Sequence, residues 1–299
     1  MTVTVIILTF NEEHHIARAI ESVRGFAQQI VVVDSGSTDS TCKIASDLGA
    51  SVLHNPWTNH ATQFNWALDH LDDSSDWVLR LDADEIVMPE LSAEIGTSLA
   101  ALDVDIDGVF VSRRMTFLGR PIRHGGLFPI RVLRLFRRGK GRCENRWMDE
   151  HIMVEGKTAE FQGEIVDDNL SSLSWWTEKH NSYASREVVD ILNLEHGFMP
   201  HETVANLTSG QQAGFKRWLK ERVYSRLPGG VRAFAYFFYR YILRLGFLDG
   251  REGRAFHILQ GFWYRFLVDA KLLEVRKYID QHNVDVETAI DKVLGIKLK

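Results

Sequence analysis

The apolar positions change period along the chain, and each change marks an element. Residues 2–10 read Thr-Val-Thr-Val-Ile-Ile-Leu-Thr-Phe, uncharged and rich in β-branched side chains, as in a strand buried on both faces. Ile16, Ala19, Ile20 and Val23 then recur at helical spacing. They follow Asn11-Glu12-Glu13, where Asn11 can cap the helix and the acids suit its dipole. The cycle repeats with a strand over 29–33, a polar turn from Asp34 to Ser40 and a helix over 41–48. A short strand over 51–54, a helix around 63–71 and a strand over 77–81 complete it. This alternation predicts an α/β fold, with a mostly parallel, doubly wound central sheet carrying helices on both faces.

In open sheets of this kind, ligands sit beyond the carboxyl ends of the strands. Three acid-bearing turns fall at such ends: Thr9 to Glu12, Asp34 to Asp39 and Asp82 to Glu85. Any one of them is as readily a helix-starting turn. Three on one rim point to a binding site. Asp82-Ala83-Asp84 sets two carboxylates one residue apart, hard oxygen donors suited to Mg²⁺ or Mn²⁺ carrying a diphosphate. On this reading Asp34 and Asp39 can accept hydrogen bonds from a base or ribose. Asp84 binds the metal, and Asp82 lies near the ribose or the metal. No Gly-x-Gly-x-x-Gly or Gly-x-x-x-x-Gly-Lys-Ser/Thr segment is present, which excludes the usual dinucleotide and P-loop fingerprints.

Taken together, Ile7-Leu8-Thr9-Phe10-Asn11-Glu12, Val32-Val33-Asp34-Ser35-Gly36-Ser37-Thr38-Asp39 and Leu81-Asp82-Ala83-Asp84-Glu85 resemble the inverting, nucleotide-diphospho-sugar glycosyltransferases of family two, which have the GT-A fold. The likeness continues through Gly125-Gly126-Leu127-Phe128-Pro129, Arg134-Leu135-Phe136-Arg137-Arg138-Gly139 and Asp149-Glu150-His151-Ile152. It ends with Lys179-x-Asn181-x-Tyr183 and Gly246-Phe247-Leu248-Asp249-Gly250. These segments look like the branch that includes bacterial lipopolysaccharide-core β-glucosyltransferases. That branch often has His-Glu where this chain has Asp149-Glu150, so either acid is open as the base.

The resemblance implies Thr9, Asn11, Glu12, Asp34, Ser37, Asp39, Asp82 and Arg134 around the donor, Asp84 and Asp82 at the metal, and Glu150 or Asp149 as general base. A base is required because inversion needs the acceptor hydroxyl deprotonated opposite the departing diphosphate. Arg131, Arg134, Arg137 and Arg138 are candidates to neutralise the leaving diphosphate, Arg134 first. The donor implied is a UDP-sugar, and the acceptor a lipid-linked or lipopolysaccharide-core saccharide. Transfer to a polyprenyl phosphate is the same-fold alternative. A non-catalytic saccharide- or nucleotide-binding partner of an assembly complex is the alternative from another class.

Charge sharpens the picture of the partners. The 299 residues carry a formal charge of −5, yet residues 1–110 hold 18 acidic and 4 basic side chains (−14). Residues 111–150 hold 11 basic and 3 acidic (+8), and residues 214–276 hold 13 basic and 5 acidic (+8). Such polarity suits an anionic partner. Of 32 aromatic residues, 15 lie between Phe215 and Phe266. On a helical wheel Phe234, Phe237, Phe238 and Tyr241 cluster, with Arg232, Arg240 and Arg244 on the other side. That predicts a basic amphipathic helix lying in a membrane interface, or else one packing on protein, including a second copy of the chain. The segment from Val231 to Leu248 contains three arginines and does not read as a membrane span. The acidic rim argues against a nucleic-acid partner.

The expected organisation is a catalytic domain over 1–213, with a donor half to about 110 and an acceptor half over 111–213, followed by a helical region over 214–299. The first residues read as a strand and not as a signal peptide. Cys42 and Cys143 offer no disulfide framework. A cytoplasmic enzyme, peripheral at the inner face of a bacterial membrane, is the expectation.

Overall fold

The computed structural model describes residues 1–72, 75–144, 151–199 and 230–298. The described chain divides into two compact units, Met1–Leu170 and Ser171–Lys299. The domain boundary expected near residue 213 lies outside the described residues, as do Asp149 and Glu150.

The first unit is the expected α/β fold. Its sheet runs in the order β3 (Ser51–His54), β2 (Gln29–Asp34), β1 (Val3–Thr9), β4 (Trp77–Asp82), β8 (Ile130–Arg137), β6 (Ile106–Phe117), β11 (Lys157–Asp167) and β5 (Glu85–Val87). The four strands from β3 to β4 are mutually parallel, as are β6 and β11. β8 runs antiparallel to both its neighbours, and β5 antiparallel to β11.

Burial explains the central strand. All seven residues of β1 are buried. Val3, Val5 and Ile7 join one apolar core with Ile16, Ala19, Ile20 and Val23 of α1 (Ile16–Val23), while Ile6 and Leu8 join a second with Phe64 of α3 (His60–Asp69). A strand covered on both faces cannot alternate, so its sequence is a continuous apolar run. At roughly 1.5–3 kcal/mol per fully buried aliphatic side chain, β1 is a large contributor to the stability of this unit.

The far edge of the sheet depends on a close approach. β11 has a register irregularity between Glu160 and Glu164. There the Gln162 and Gly163 amides donate to the Glu94 carboxylate of α4 (Pro89–Ser98). A Cβ on Gly163 would lie 2.4 Å from Leu91 Cα and 2.6 Å from its nitrogen, and backbone has nowhere to go. Gly163→Ala is therefore expected to destabilise the protein by about 1–3 kcal/mol, read as a lower urea midpoint at unchanged m-value. An unchanged midpoint would mean that α4 is not seated on this bulge.

The second unit is helical, as expected for the C-terminal region. α5 (Leu173–His196) carries Ala184, Val188, Val189 and Leu192, which pack with Val268, Leu272 and Val275 of the helix Tyr264–His282. Ala289 and Ile290 of the terminal helix Val286–Leu294 close the same core. Among the described residues, no helix is long and apolar enough to cross a membrane.

The wheel drawn for residues 232–244 is corrected. Arg240 is buried at 1 % exposure, its guanidinium over the Tyr236 and Phe256 rings and bonded to Gln260. Arg232 pairs with Asp269. Phe237 and Tyr241 stack on each other and meet Phe262 and Phe247, so they belong to the packed side. The wheel assumed that charge seeks water; in the fold the Tyr236 and Phe256 rings and Gln260 surround the Arg240 guanidinium and offset part of the cost of burying it.

Candidate functional site

The first two predicted turns meet because β1 and β2 are parallel neighbours, with Thr9 level with Asp34. Asn11 takes a left-handed conformation (φ 56°), which asparagine tolerates. From there its amide donates to Ser37 Oγ (2.8 Å), and its Oδ1 accepts from the Thr38 amide (2.9 Å). The Glu12 amide donates to Thr41 Oγ1, and the Glu13 amide to Asp39. Thr9, Asn11, Glu12, Asp34, Ser37 and Asp39 are thus drawn together as one pair of stapled loops.

The acids in these loops are already engaged. Asp34, 1 % exposed, accepts from the Gly36 and Ser37 amides and from the Ser37 and Thr9 hydroxyls. Burial alone would raise its pKa, but the Ser37 hydroxyl and the Ser37 and Gly36 amides hold it below the ordinary value. Asp39 is also lowered, its burial outweighed by the Thr41 hydroxyl and the Thr41 and Glu13 amides. Glu12 bonds His15 Nδ1 (2.6 Å), while His15 Nε2 accepts from the Leu170 amide (2.8 Å), which fixes the ring proton on Nδ1.

Asp34, Cys42 and His54 bring ligand atoms within 4.8 Å of one another. Chemistry speaks against a metal there. The Asp34 oxygens are occupied, and burial together with the Asp34 charge raises the Cys42 pKa, keeping it a thiol.

The third turn sits on the other side of β1, where Asp82 is level with Leu8. Glu85, fully buried, organises it: Oε2 accepts from the Asp82 amide (3.0 Å), while Oε1 accepts from Arg113 (2.8 Å) and Arg134 (2.6 Å). Arg134, 7 % exposed on β8, also donates to Asp82 Oδ2 (2.9 Å), and Arg80 Nε stands 3.6 Å from Asp82 Oδ1. Burial favours a neutral Asp82, yet Arg134, Arg80 and Arg113 hold it ionised well below the usual carboxylate range. Glu85 is pushed up by burial, against the pull of Arg134.

β11 delivers the remaining groups, because it pairs with β5 immediately after the triplet. Asp167 takes a hydrogen bond from Arg113 (2.6 Å), Asn169 donates to Asp84 Oδ2 (2.9 Å), and Asp168 pairs with Arg18 (2.7 Å). Burial raises the Asp167 pKa to about 7 despite Arg113, helped by the charges of Asp84, Glu85 and Asp82.

Four acids (Asp82, Asp84, Glu85, Asp167) therefore face three guanidiniums (Arg80, Arg113, Arg134). With every acid ionised the cluster is one positive charge short. Asp84 Oδ1 has no hydrogen-bond partner among the described residues. A hard divalent cation at Asp84 suits both facts. Asp82, bonded to Arg134 and flanked by Arg80, is the less available ligand.

A linkage prediction follows for the metal-free protein. The folded state keeps the Asp167 proton up to about pH 7, whereas an unfolded aspartate releases it near about pH 4. Between these values the folded state binds more protons, so this contribution to stability falls as pH rises. In EDTA, thermal melting of wild type relative to Asp167→Asn should show that fall between pH 4 and 7. A difference that is flat with pH would show that Asp167 is not so perturbed.

Arg113, Asp167 and Asn169 escaped the sequence reading. The signal was present: Phe161, Gly163 and Ile165 alternate into Asp167-Asp168-Asn169, another strand ending in acids. Arg142 forms a bidentate pair with Asp69. Lys179 lies over the Trp175 and Tyr183 rings within α5.

Comparison with known proteins adds independent findings. The family model described as glycosyl transferase family 2 matches residues 4–156, half of the chain. The lipopolysaccharide core biosynthesis glycosyltransferase LpsC of Rhizobium meliloti is 36% identical over 156 residues, covering 50% of this chain and 56% of that protein. An uncharacterized glycosyltransferase of Rickettsia typhi is 42% identical over 103 residues, 34% of this chain and 35% of its own. The chain spans between about a third and just over half the length of these curated relatives. Among solved structures, glucosyl-3-phosphoglycerate synthase from Mycobacterium tuberculosis, in complex with Mn²⁺, UDP and glucosyl-3-phosphoglycerate, is 27% identical. That likeness covers 38% of this chain and 44% of that one at a TM-score of 0.31.

Proposed function

The chain belongs to glycosyl transferase family 2; on that premise we propose that it is a glycosyltransferase that moves a sugar, with inversion, from a nucleotide-diphosphate donor to a lipopolysaccharide-core or lipid-linked saccharide. The observation that carries this reading is the convergence of the acid-lined ends of β1, β2 and β4 on one sheet rim, beside a triplet braced by buried arginines. The stapled loops bearing Asn11, Asp34 and Asp39 would receive the nucleoside, and UDP is the nucleotide the motif resemblance implies.

Each group has a physical task. Asp84, steadied by Asn169, would hold Mg²⁺ or Mn²⁺, with Asp82 second. When bound, the ion neutralises charge on the leaving diphosphate. Glu85, itself held by Arg113, fixes Arg134, and Arg134 fixes Asp82, so the site is organised before substrate arrives. Glu150, or Asp149 beside it, serves as the base for the acceptor hydroxyl. We assign residues 1–110 to the donor and the following segment to the acceptor. The similarity to LpsC supports a lipopolysaccharide-core acceptor, and hence work at the inner membrane face.

A panel of UDP-sugars incubated with Mn²⁺ and isolated lipid-linked acceptors tests the reading. One donor should give a glycosylated lipid, and Glu150→Gln should lower its formation at least about 100-fold. Donor binding without transfer to any acceptor would instead favour a binding partner of an assembly complex.

A further inference from the structure

The helical segment that follows α5 among the described residues of the second unit is inside out. Val231–Phe238 continues through a π-helical turn, Tyr239–Leu243, into the short turn Gly246–Asp249. Its packed face carries Ala233, Phe237, Arg240 and Tyr241, with a cation at the centre. Its outer face carries Phe234, Phe238, Ile242 and Leu243 at helical spacing, and the turn adds Phe247 and Leu248. Phe234 is 59% exposed and Leu243 62%, although charge and aromatics on such a helix would ordinarily sit the other way round.

Small residues hold this arrangement. A Cβ on Gly246 would lie 2.7 Å from His257 Nε2, and one on Gly253 would lie 2.1 Å from Asp249 Cβ. Asp249 is buried against His257 at 3.2 Å, so the one acid of the turn is withdrawn from the surface. The arginines next to the apolar turn, Arg244, Arg251 and Arg254, are all exposed. An apolar stripe with its acid hidden and its cations beside it matches the interface of an anionic bilayer: apolar side chains enter the acyl boundary, and guanidiniums meet lipid phosphates.

We propose that the segment from Phe234 to Leu248 is a membrane-docking surface, inserting Phe247, Leu248 and Leu243 into an anionic lipid interface with Arg244, Arg251 and Arg254 at the headgroups. It deepens the reading above by naming the surface through which a lipid-borne acceptor would be reached. It does not depend on the donor chemistry.

The test is flotation of the full chain with vesicles, in the absence of donor and acceptor. Wild type should float with phosphatidylglycerol/phosphatidylethanolamine vesicles and far less with phosphatidylcholine alone, and added salt should weaken binding. Phe247→Glu/Leu248→Glu should cut the bound fraction roughly tenfold, and Arg244→Ser/Arg251→Ser/Arg254→Ser should remove the preference for anionic lipid. Circular dichroism and donor-side UDP release should match wild type in both variants, which separates docking from misfolding and from failure of the glycosyltransferase reading. No flotation of wild type with any vesicle would overturn the proposal. So would a concentration-dependent dimer that the Phe247→Glu/Leu248→Glu pair makes monomeric.

Discussion

Arg134→Met is expected to cost the fold about 3–5 kcal/mol and to lower transfer at least about 100-fold. Arg134 is nearly fully buried and donates to both Asp82 and Glu85. Methionine replaces much of its volume but none of its charge. Glu85 would keep Arg113, and Asp82 would keep only the more distant Arg80. Two carboxylates would then compete for too little positive charge in a site that excludes most water, which is why breaking a buried pair costs more than the pair itself contributes. Urea unfolding gives the stability, and kcat/KM with the best donor gives the activity. A variant as stable as wild type would show that the network is not what holds the triplet. Double replacement of Arg134 and Glu85 by apolar residues should recover part of the stability and none of the activity, because it removes one of the two competing carboxylates without restoring the partner of Asp82.

Asp84→Ala should behave in the opposite way. Its carboxylate makes one hydrogen bond, from Asn169, so stability should change by less than about 1 kcal/mol. Metal-dependent UDP release, by contrast, should fall at least about 100- to 1000-fold, the scale on which removing one well-placed electrostatic group acts. Extra Mn²⁺ should restore part of the rate if Asp82 can hold the ion alone. Unaltered turnover in this variant would remove the triplet from the chemistry.

The contrast between these residues shows what the sequence made legible. Asp84 was readable because strand, acid and turn lie within eight consecutive residues. So was β1, whose unbroken apolar run can hardly be anything but a doubly buried strand. Arg134 was one of several arginines in a row, and the sequence ranked it first among them for the leaving diphosphate. Its partners were invisible, since contact with Asp82 and Glu85 depends on β8 entering antiparallel beside β4. Arg113 and Asp167 needed the pairing of β11 with both β6 and β5, which is long-range information no local pattern holds. The helical wheel placed Arg240 on a solvent face for a related reason. A wheel knows which residues share a side, but it does not know that Phe256 and Gln260 lie across from it.

Calorimetric titration of UDP into the protein, with and without Mn²⁺, meets the central claim most directly. Wild type should bind UDP at least about tenfold more tightly with Mn²⁺ than in EDTA. Asp84→Ala should lose that metal-dependent gain while keeping the weaker EDTA affinity supplied by the stapled loops. Equal UDP affinity with and without metal in wild type, or an undiminished Mn²⁺ effect in Asp84→Ala, would contradict the account.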